Sequence, residues 1–496
     1  MMSKAAAFDA AATTLRQLGV PGILPRLHAN GVSVKRMVLG GSHSVAVYPP
    51  IDSLQPMDGD AVAAGVDWGP ETSLYIHVAF CETRCTFCHY AVEHFPRRLG
   101  EEAPEDGPVS SYLAAVRREI AYWGAELAAS GTVVSSVYVG GGTPLVLGQR
   151  ELGDLVHTMR DHFDVAPGAE LCIEGSPLTI TAPDGADKLR YLKELGATRL
   201  SFGIQSFDDT VLKYAARGYQ SDCALRACAI AGEIFSNWNL DLIQGLYMGS
   251  PDEVWHNLTQ ISEVKPAHLT WYHGRFADRP QGQWYQDESK RPHFEDEPET
   301  LLGRMLIWQE LATLGYERTD GNRFVRASRY VDPFKKVRTS ASSNLLGIGA
   351  ASYSHAGARL PDPSRRGYIF RNEANVRGYV EAARVRMPPI ATGRTVDAEE
   401  LLATSYATGL RTGRVEDREL QLARSEYPEL SGHYDGLVHD LVGLGVLKEY
   451  VSEGGMPALG LTELGRLFED ETLALFFSPA VKSTLARQPR MLSVVG

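Results

Sequence analysis

Between residues 66 and 275, short runs of Val, Ile, Leu and Tyr alternate with longer stretches whose apolar positions recur every three or four residues. The short runs, at 74–78, 133–139, 170–173, 199–204, 239–243 and 268–271, predict six β-strands, because β-branched and aromatic side chains suit a pleated, half-buried surface. The stretches at 111–129, 150–163, 187–195, 222–235 and 251–264 predict amphipathic helices. Strands separated by helices of this length call for a parallel sheet with right-handed crossovers. Periodicity alone leaves an open barrel and a flat doubly wound sheet both available.

Outside this α/β region the pattern changes. Residues 1–65 carry several Gly and Pro breaks and no strong period, and are read as an N-terminal extension. The core is placed at 66–300, ending in a polar, Pro-rich loop from 274 to 300. Residues 301–364 form a core extension with a helix at 301–314, a basic segment and the turn Asn344-Leu-Leu-Gly-Ile-Gly-Ala350. From 365 to 496 the pattern reads as mainly helical, with a short strand near Val451.

A length of 496 residues supports two or three domains, and 44% hydrophobic with 22% charged residues is ordinary for a globular chain. No apolar run reaches membrane-spanning length, and Lys4, Asp9 and Arg16 interrupt the Ala-rich start, which argues against a secretory signal and for a cytoplasmic location. The net charge of −12 argues against general nucleic-acid binding. One basic run opposes it: Arg318, Arg323, Arg326, Arg329, Lys335, Lys336 and Arg338, interleaved with Phe324, Tyr330 and Phe334. It is either a solvated face or a clamp for an anionic substrate.

The chemistry concentrates where the first strand ends, in Cys81-Glu-Thr-Arg-Cys85-Thr-Phe-Cys88. Three thiolates on one loop leave a coordination position open, whereas a closed structural site takes four protein ligands. A zinc site completed by His89 or His94 is the alternative reading. Cys172, Cys223 and Cys228 are scattered along the chain and read as small buried hydrophobes.

The Cys-x3-Cys-x2-Cys spacing, with aromatic Phe87 before the last cysteine, resembles the radical SAM superfamily. Tyr75-Ile76-His77-Val78-Ala79-Phe80-Cys81 is similar to the strand and loop of its oxygen-independent coproporphyrinogen III oxidase group. The resemblance implies a partial (β/α)6 barrel of the TIM type and a winged-helix-like C-terminal domain, matched by Leu461-Thr-Glu-Leu-Gly465. It also implies a [4Fe–4S] cluster on Cys81, Cys85 and Cys88, whose open iron binds S-adenosylmethionine (SAM) and whose electron cleaves it to a 5′-deoxyadenosyl radical. An electron donor such as flavodoxin or ferredoxin follows from this.

Reactive groups of parallel barrels gather at the C-terminal ends of strands. There the second strand runs into Gly140-Gly141-Gly142-Thr143-Pro144, which lets backbone approach a ligand closely. The third ends in Glu174, either a ribose acceptor or a solvated strand end. The fourth ends in Gln205, with Arg217 beyond it. The fifth contains Asp241, for which a nearby arginine is the structural alternative. The resemblance makes Tyr75, Phe87, Gly141, Gly142, Thr143, Glu174, Gln205, Arg217 and Asp241 cofactor contacts. His273, after the sixth strand, is either a proton-transfer group or a core imidazole bonded to a backbone carbonyl. Tyr353 matches a family position lining the pocket and is the second candidate acid or base.

Two departures bear on the reaction. Coproporphyrinogen oxidases of the group resemble Cys-x3-Cys-x2-Cys-x-Cys and carry a Phe-Gln-Gly-Tyr-like stretch; here Tyr90 and Phe334-Lys-Lys-Val337 stand instead. The related heme carriers have His-Asn-x-x-Tyr-Trp, which is absent. The expected activity is therefore that of the class C methyltransferase branch or the heme-degrading methyltransferases. In it a second SAM donates a methylene, methylating or cyclopropanating an sp2 carbon of an aromatic or anionic small molecule of natural-product type. Coproporphyrinogen decarboxylation is the alternative, and a heme carrier a further one.

Overall fold

In a computed structural model, the structure describes residues 2–34, 48–88, 90–95, 98–99, 101, 104, 106–247, 250–274, 297–327, 330, 334, 343–356, 367–411, 415–416, 428–451, 455 and 457–487. Six parallel strands appear where the apolar runs predict them: β2 Glu71–Val78, β3 Val133–Gly141, β4 Val165–Gly175, β5 Arg199–Gln205, β6 Trp238–Gln244 and β7 His268–His273. Each predicted helix between them is present, and caps explain several limits. Pro108–Ser130 has Pro at its start and left-handed Gly131 at its end. Pro251–Val264 begins under Ser250, whose hydroxyl accepts from the Glu253 amide.

Among the described residues, seven further strands extend this sheet to thirteen. They are β1 Gln55–Pro56, β8 Glu317–Asp320, β9 Arg323–Val325, β10 Leu345–Ile348, β11 Tyr353–Ala356, β12 Gly367–Asn372 and β13 Ile390–Val396. The spatial order is β1-β13-β12-β11-β10-β2-β3-β4-β5-β6-β7-β9-β8. β10 lies parallel to β2, so the Gly-Ile-Gly segment is a seventh parallel strand, and only its second glycine begins a turn. β11, β12 and β13 follow antiparallel to one another.

This corrects the reading of residues beyond 365 as helical from the outset. Gly-Tyr-Ile-Phe-Arg-Asn372 is a strand, with Ile369 and Phe370 both buried, and Ile390–Val396 pairs along it. The helical C-terminal region starts later, with Ala398–Gly409 and Pro428–Gly443, and packs around a small antiparallel sheet of Val415–Glu416, Leu447–Val451 and Pro457–Leu461. The described part of residues 1–65 includes helices Lys4–Gln17 and Val20–Ala29, and β1 on the sheet edge. Among the described residues no helix is long and apolar enough to cross a membrane.

The main core lies between the sheet and its helices; Leu74, Ile76, Leu200, Phe202, Leu240, Leu242, Leu269 and Trp271 supply the strand side of it. The other face curves inward around a smaller cluster, Tyr138, Cys172, Phe334 and Leu345, against which Tyr75 packs. Phe334 stacks on Tyr138 at 4.6 Å and on Tyr75 at 6.0 Å between ring centroids. An aromatic stack therefore floors the barrel, and polar residues are left for its mouth.

Candidate active site

β2 delivers the cysteine loop to the C-terminal mouth. Phe80–Cys81 pairs with Glu93–His94, and the loop is pinned on its far side by Thr86, whose amide donates to the Ala215 carbonyl (3.2 Å) and whose hydroxyl donates to that of Tyr214 (3.1 Å). Phe87 joins Val211, Ala215, Leu246 and Tyr247 in a small apolar cluster that seats the loop. Cys81, Cys85 and Cys88 stay half-buried and free of disulfides.

Two thiols already receive hydrogen bonds, from Thr143 Oγ1 to Cys81 Sγ (3.4 Å) and from Arg217 Nη1 to Cys85 Sγ (3.0 Å). Burial pushes the Cys81 thiol up to about 12, and the Thr143 hydroxyl draws it partly back. Bound cations reverse that balance, since a coordinating thiol is deprotonated outright. Among the described residues no three His, Cys, Asp or Glu side chains converge as a single metal ion requires. His94, one of the two histidines considered as a fourth zinc ligand, is exposed and is the strand partner of Cys81; His89 lies outside the described residues.

The glycine run leans against this loop. Gly142 N–H donates to the Val78 carbonyl (2.8 Å) and Thr143 N–H to that of Phe80 (2.7 Å). A Cβ at 142 would stand 2.3 Å from the Phe80 carbonyl oxygen, and one at 141, where φ is +108°, would stand 2.3 Å from His77 Nδ1. Only glycine allows this approach.

Glu174 is held from both sides: Tyr138 donates its phenol to Oε1 and Gly141 N–H donates to Oε2 at 3.1 Å. It is neither a loose strand end nor an unengaged ribose acceptor. Gln205 closes β5 at φ +74°, a costly conformation for a non-glycine residue, and its Oε1 is buried without a partner. On the loop, Glu82 Oε2 is likewise buried and unpartnered. Arg217 donates to the Gly203 carbonyl and, through Nε, to Tyr219 Oη (2.9 Å). Asp241 accepts from Asn239 Nδ2 at 2.7 Å, so its structural partner is an amide and not the expected arginine.

Gly141, Gly142, Thr143, Glu174, Gln205, Arg217 and Asp241 thus line the same mouth as the three cysteines, and Tyr75 belongs to the aromatic floor beneath them. His273 does not. Strand alternation places it with Leu269 and Trp271, which pack on the helices, and its Nδ1 pairs with Gln244 Oε1 at 3.1 Å. Tyr272, 37% exposed, takes the inner face at that position. Tyr353 faces inward and donates to the Tyr48 carbonyl at 3.0 Å; burial raises its pKa above the ordinary phenol range.

Of the basic run, read as a solvated face or an anion clamp, Arg318, Arg323 and Arg326 are among the described residues. Arg318 pairs with Glu463 at 2.9 Å and stacks on Trp308 at 3.8 Å, while Phe334 is drawn into the barrel. Arg329, Lys335, Lys336 and Arg338 lie outside the described residues, as do Trp284 and Tyr285.

Three residues at the site escaped the sequence reading: His77, Tyr138 and Arg371. His77 Nε2 lies 3.0 Å from the Ala91 carbonyl, which fixes the proton there and leaves Nδ1 to accept from Tyr75 Oη at 3.1 Å. Burial, helped by the charge of Arg371, pushes its pKa down to about 4, so it is neutral. Its place two residues after Tyr75, on the same face of β2, was the available signal.

The family model of the radical SAM superfamily matches residues 75–261. The heme chaperone HemW of Escherichia coli (strain K12) is 32% identical, over 82% of this chain and 99% of its own length. The oxygen-independent coproporphyrinogen III oxidase of the same organism is 28% identical, over 58% of this chain and 61% of its own. The solved structure of coproporphyrinogen III oxidase (HemN) from Escherichia coli superposes with a TM-score of 0.71, covering 88% of this chain and 96% of that one at 21% identity, a likeness of fold. With its cysteine loop and glycine cradle in place, the chain belongs to the radical SAM superfamily, within the group that holds the heme chaperone HemW and the oxygen-independent coproporphyrinogen III oxidases.

Proposed function

We propose that this radical SAM enzyme acts on a carboxylate-bearing tetrapyrrole, in the manner of oxygen-independent coproporphyrinogen oxidation. The observation that carries this reading is the full-length similarity to a heme chaperone, joined by that to a coproporphyrinogen oxidase. The mouth fits the cofactors of the superfamily. Three thiols share one loop, a cradle beside them admits no Cβ, and buried Gln205 Oε1 and Glu82 Oε2 lack partners that a ligand can supply.

Cys81, Cys85 and Cys88 would hold the [4Fe–4S] cluster, and Gly141, Gly142, Thr143, Glu174, Gln205, Arg217 and Asp241 would hold SAM. When bound, cluster and SAM together supply a primary carbon radical able to take a hydrogen atom from an unactivated C–H bond. The protein's part is placement and exclusion. Tyr138 and the Gly141 amide fix the Glu174 carboxylate before any ligand arrives, which lowers the ordering cost of binding. Thr143 and Arg217 orient two of the thiols. Tyr75, Phe334 and Tyr138 close the barrel floor against water. Tyr353 and neutral His77 are protic groups on the inner face, and they replace His273 as candidates for proton transfer.

Methylene or methyl transfer stands as the second reading. Tyr90, 50% exposed, occupies the position of the oxidases' additional cysteine, and Phe334 starts the stretch that departs from Phe-Gln-Gly-Tyr. Anaerobic incubation with coproporphyrinogen III, dithionite and SAM carrying a labelled methyl group separates the two. Tetrapyrrole oxidation gives 5′-deoxyadenosine with loss of CO2 and no label in the product. Label in the porphyrinogen supports transfer, and an unchanged porphyrinogen overturns the first reading.

A further inference from the structure

Arg371 lies on β12 directly opposite Tyr353 of β11. Residues paired across strands share a face. Phe370, its neighbour, takes the other face and packs on Trp68 and Trp123 at the helix side. Arg371 therefore points into the concave side of the sheet. Its Nε donates to the Ala351 carbonyl at 3.2 Å, in the turn after β10. That turn stands at the cysteine end of the barrel, because Ile348 pairs with Ile76.

The guanidinium is half-buried, and among the described residues that single hydrogen bond is its only one and it has no ion pair. Burial lowers its pKa; Asp52 and Glu373 oppose this from beyond ion-pair range. A desolvated fork with unengaged Nη groups is costly until an anion completes it, and its geometry suits a carboxylate. Thr392 faces it from β13 and adds a hydroxyl to the same patch.

We propose that Arg371 grips a carboxylate of the substrate at the barrel mouth, beside Tyr353 and Thr392. This subsite rests on the tetrapyrrole reading and names which residue recognises the acid.

The test is an anaerobic absorbance titration of the reconstituted full chain with coproporphyrin III and with its tetramethyl ester. Arg371→Gln is expected to weaken binding of the tetra-acid on the order of 30-fold, as loss of a charge-assisted bond would, with Arg371→Lys intermediate. The ester is expected to bind wild type and variant alike, and SAM affinity and melting temperature are expected to hold. Equal tetra-acid affinity in wild type and Arg371→Gln overturns the subsite. So does a parallel loss of SAM affinity, which would give the guanidinium to the cofactor. Should Arg371→Gln fail to fold, equal binding of acid and ester by the wild type overturns it instead. If wild type takes up neither porphyrin, the tetrapyrrole reading fails and the subsite fails with it.

Discussion

Replacing any one of Cys81, Cys85 and Cys88 by alanine is expected to abolish both the brown chromophore and the reductive cleavage of SAM, with little change in the fold. The three sulfurs are half-buried on a loop whose seat is made by other atoms: the Thr86 contacts to Tyr214 and Ala215, the packing of Phe87 and the Gly142 and Thr143 amides. Circular dichroism of the apo variants therefore stays that of the wild-type apo protein, while iron content and 5′-deoxyadenosine fall to background. Serine variants sharpen the result, since a hydroxyl preserves volume and loses the soft thiolate that holds such clusters. Full cleavage activity in any alanine variant would mean that the loop does not carry the cluster.

Glu119→Ala is expected to cost stability more than any single change at the mouth. Glu119 sits on helix Pro108–Ser130, wholly buried, and accepts from Tyr379 Oη (2.6 Å), Asn372 Nδ2 (2.7 Å) and the Gly349 amide (2.9 Å). It ties the helix layer to β12, which carries Arg371, and to the turn that leads into Tyr353. Alanine strands the Tyr379 hydroxyl and the Gly349 amide, while Asn372 Nδ2 keeps the Gly349 carbonyl and the Ser352 hydroxyl, for a loss of about 3 kcal/mol. Chemical denaturation should show it as a lower midpoint with an unchanged slope.

The same residue sets a pH dependence. Burial outweighs its hydrogen-bond donors and raises the carboxyl from 4.5 to about 7. A raised acid binds its proton more tightly folded than unfolded, so its contribution is full below about 4.5 and is lost as pH rises toward 7. Wild-type stability should fall across that window by more than that of Glu119→Gln. Equal slopes would show that Glu119 does not titrate there.

The parallel half of the fold was legible because each strand and helix obeys its own period. Residues 74–78 and 251–264 needed only local rules. What stayed hidden depends on partners distant in sequence. β12 and β13 are short antiparallel strands with polar neighbours, and their pairing is visible only once β10 has joined β2. Edge strand β1 has two residues and no period of its own.

The site divides in the same way. Cysteine spacing and a glycine run can be read along one segment, and the structure brings both to one mouth. His273 falls on the helix side because a single residue of phase on β7 separates it from Tyr272, and strand alternation at an end is easily misassigned. Arg318 looked like part of a clamp because its partner, Glu463, lies 145 residues away. Arg371 and Tyr138 gave no local signal, since their meaning comes from Tyr353 and Glu174 on neighbouring strands.

The most direct measurement is metal and sulfide analysis of anaerobically purified wild-type protein, followed by dithionite reduction in the presence of SAM. About four irons with matching sulfide per chain, and 5′-deoxyadenosine released on reduction, are the expected result. A stoichiometric zinc ion with no sulfide, and SAM left intact, would contradict it.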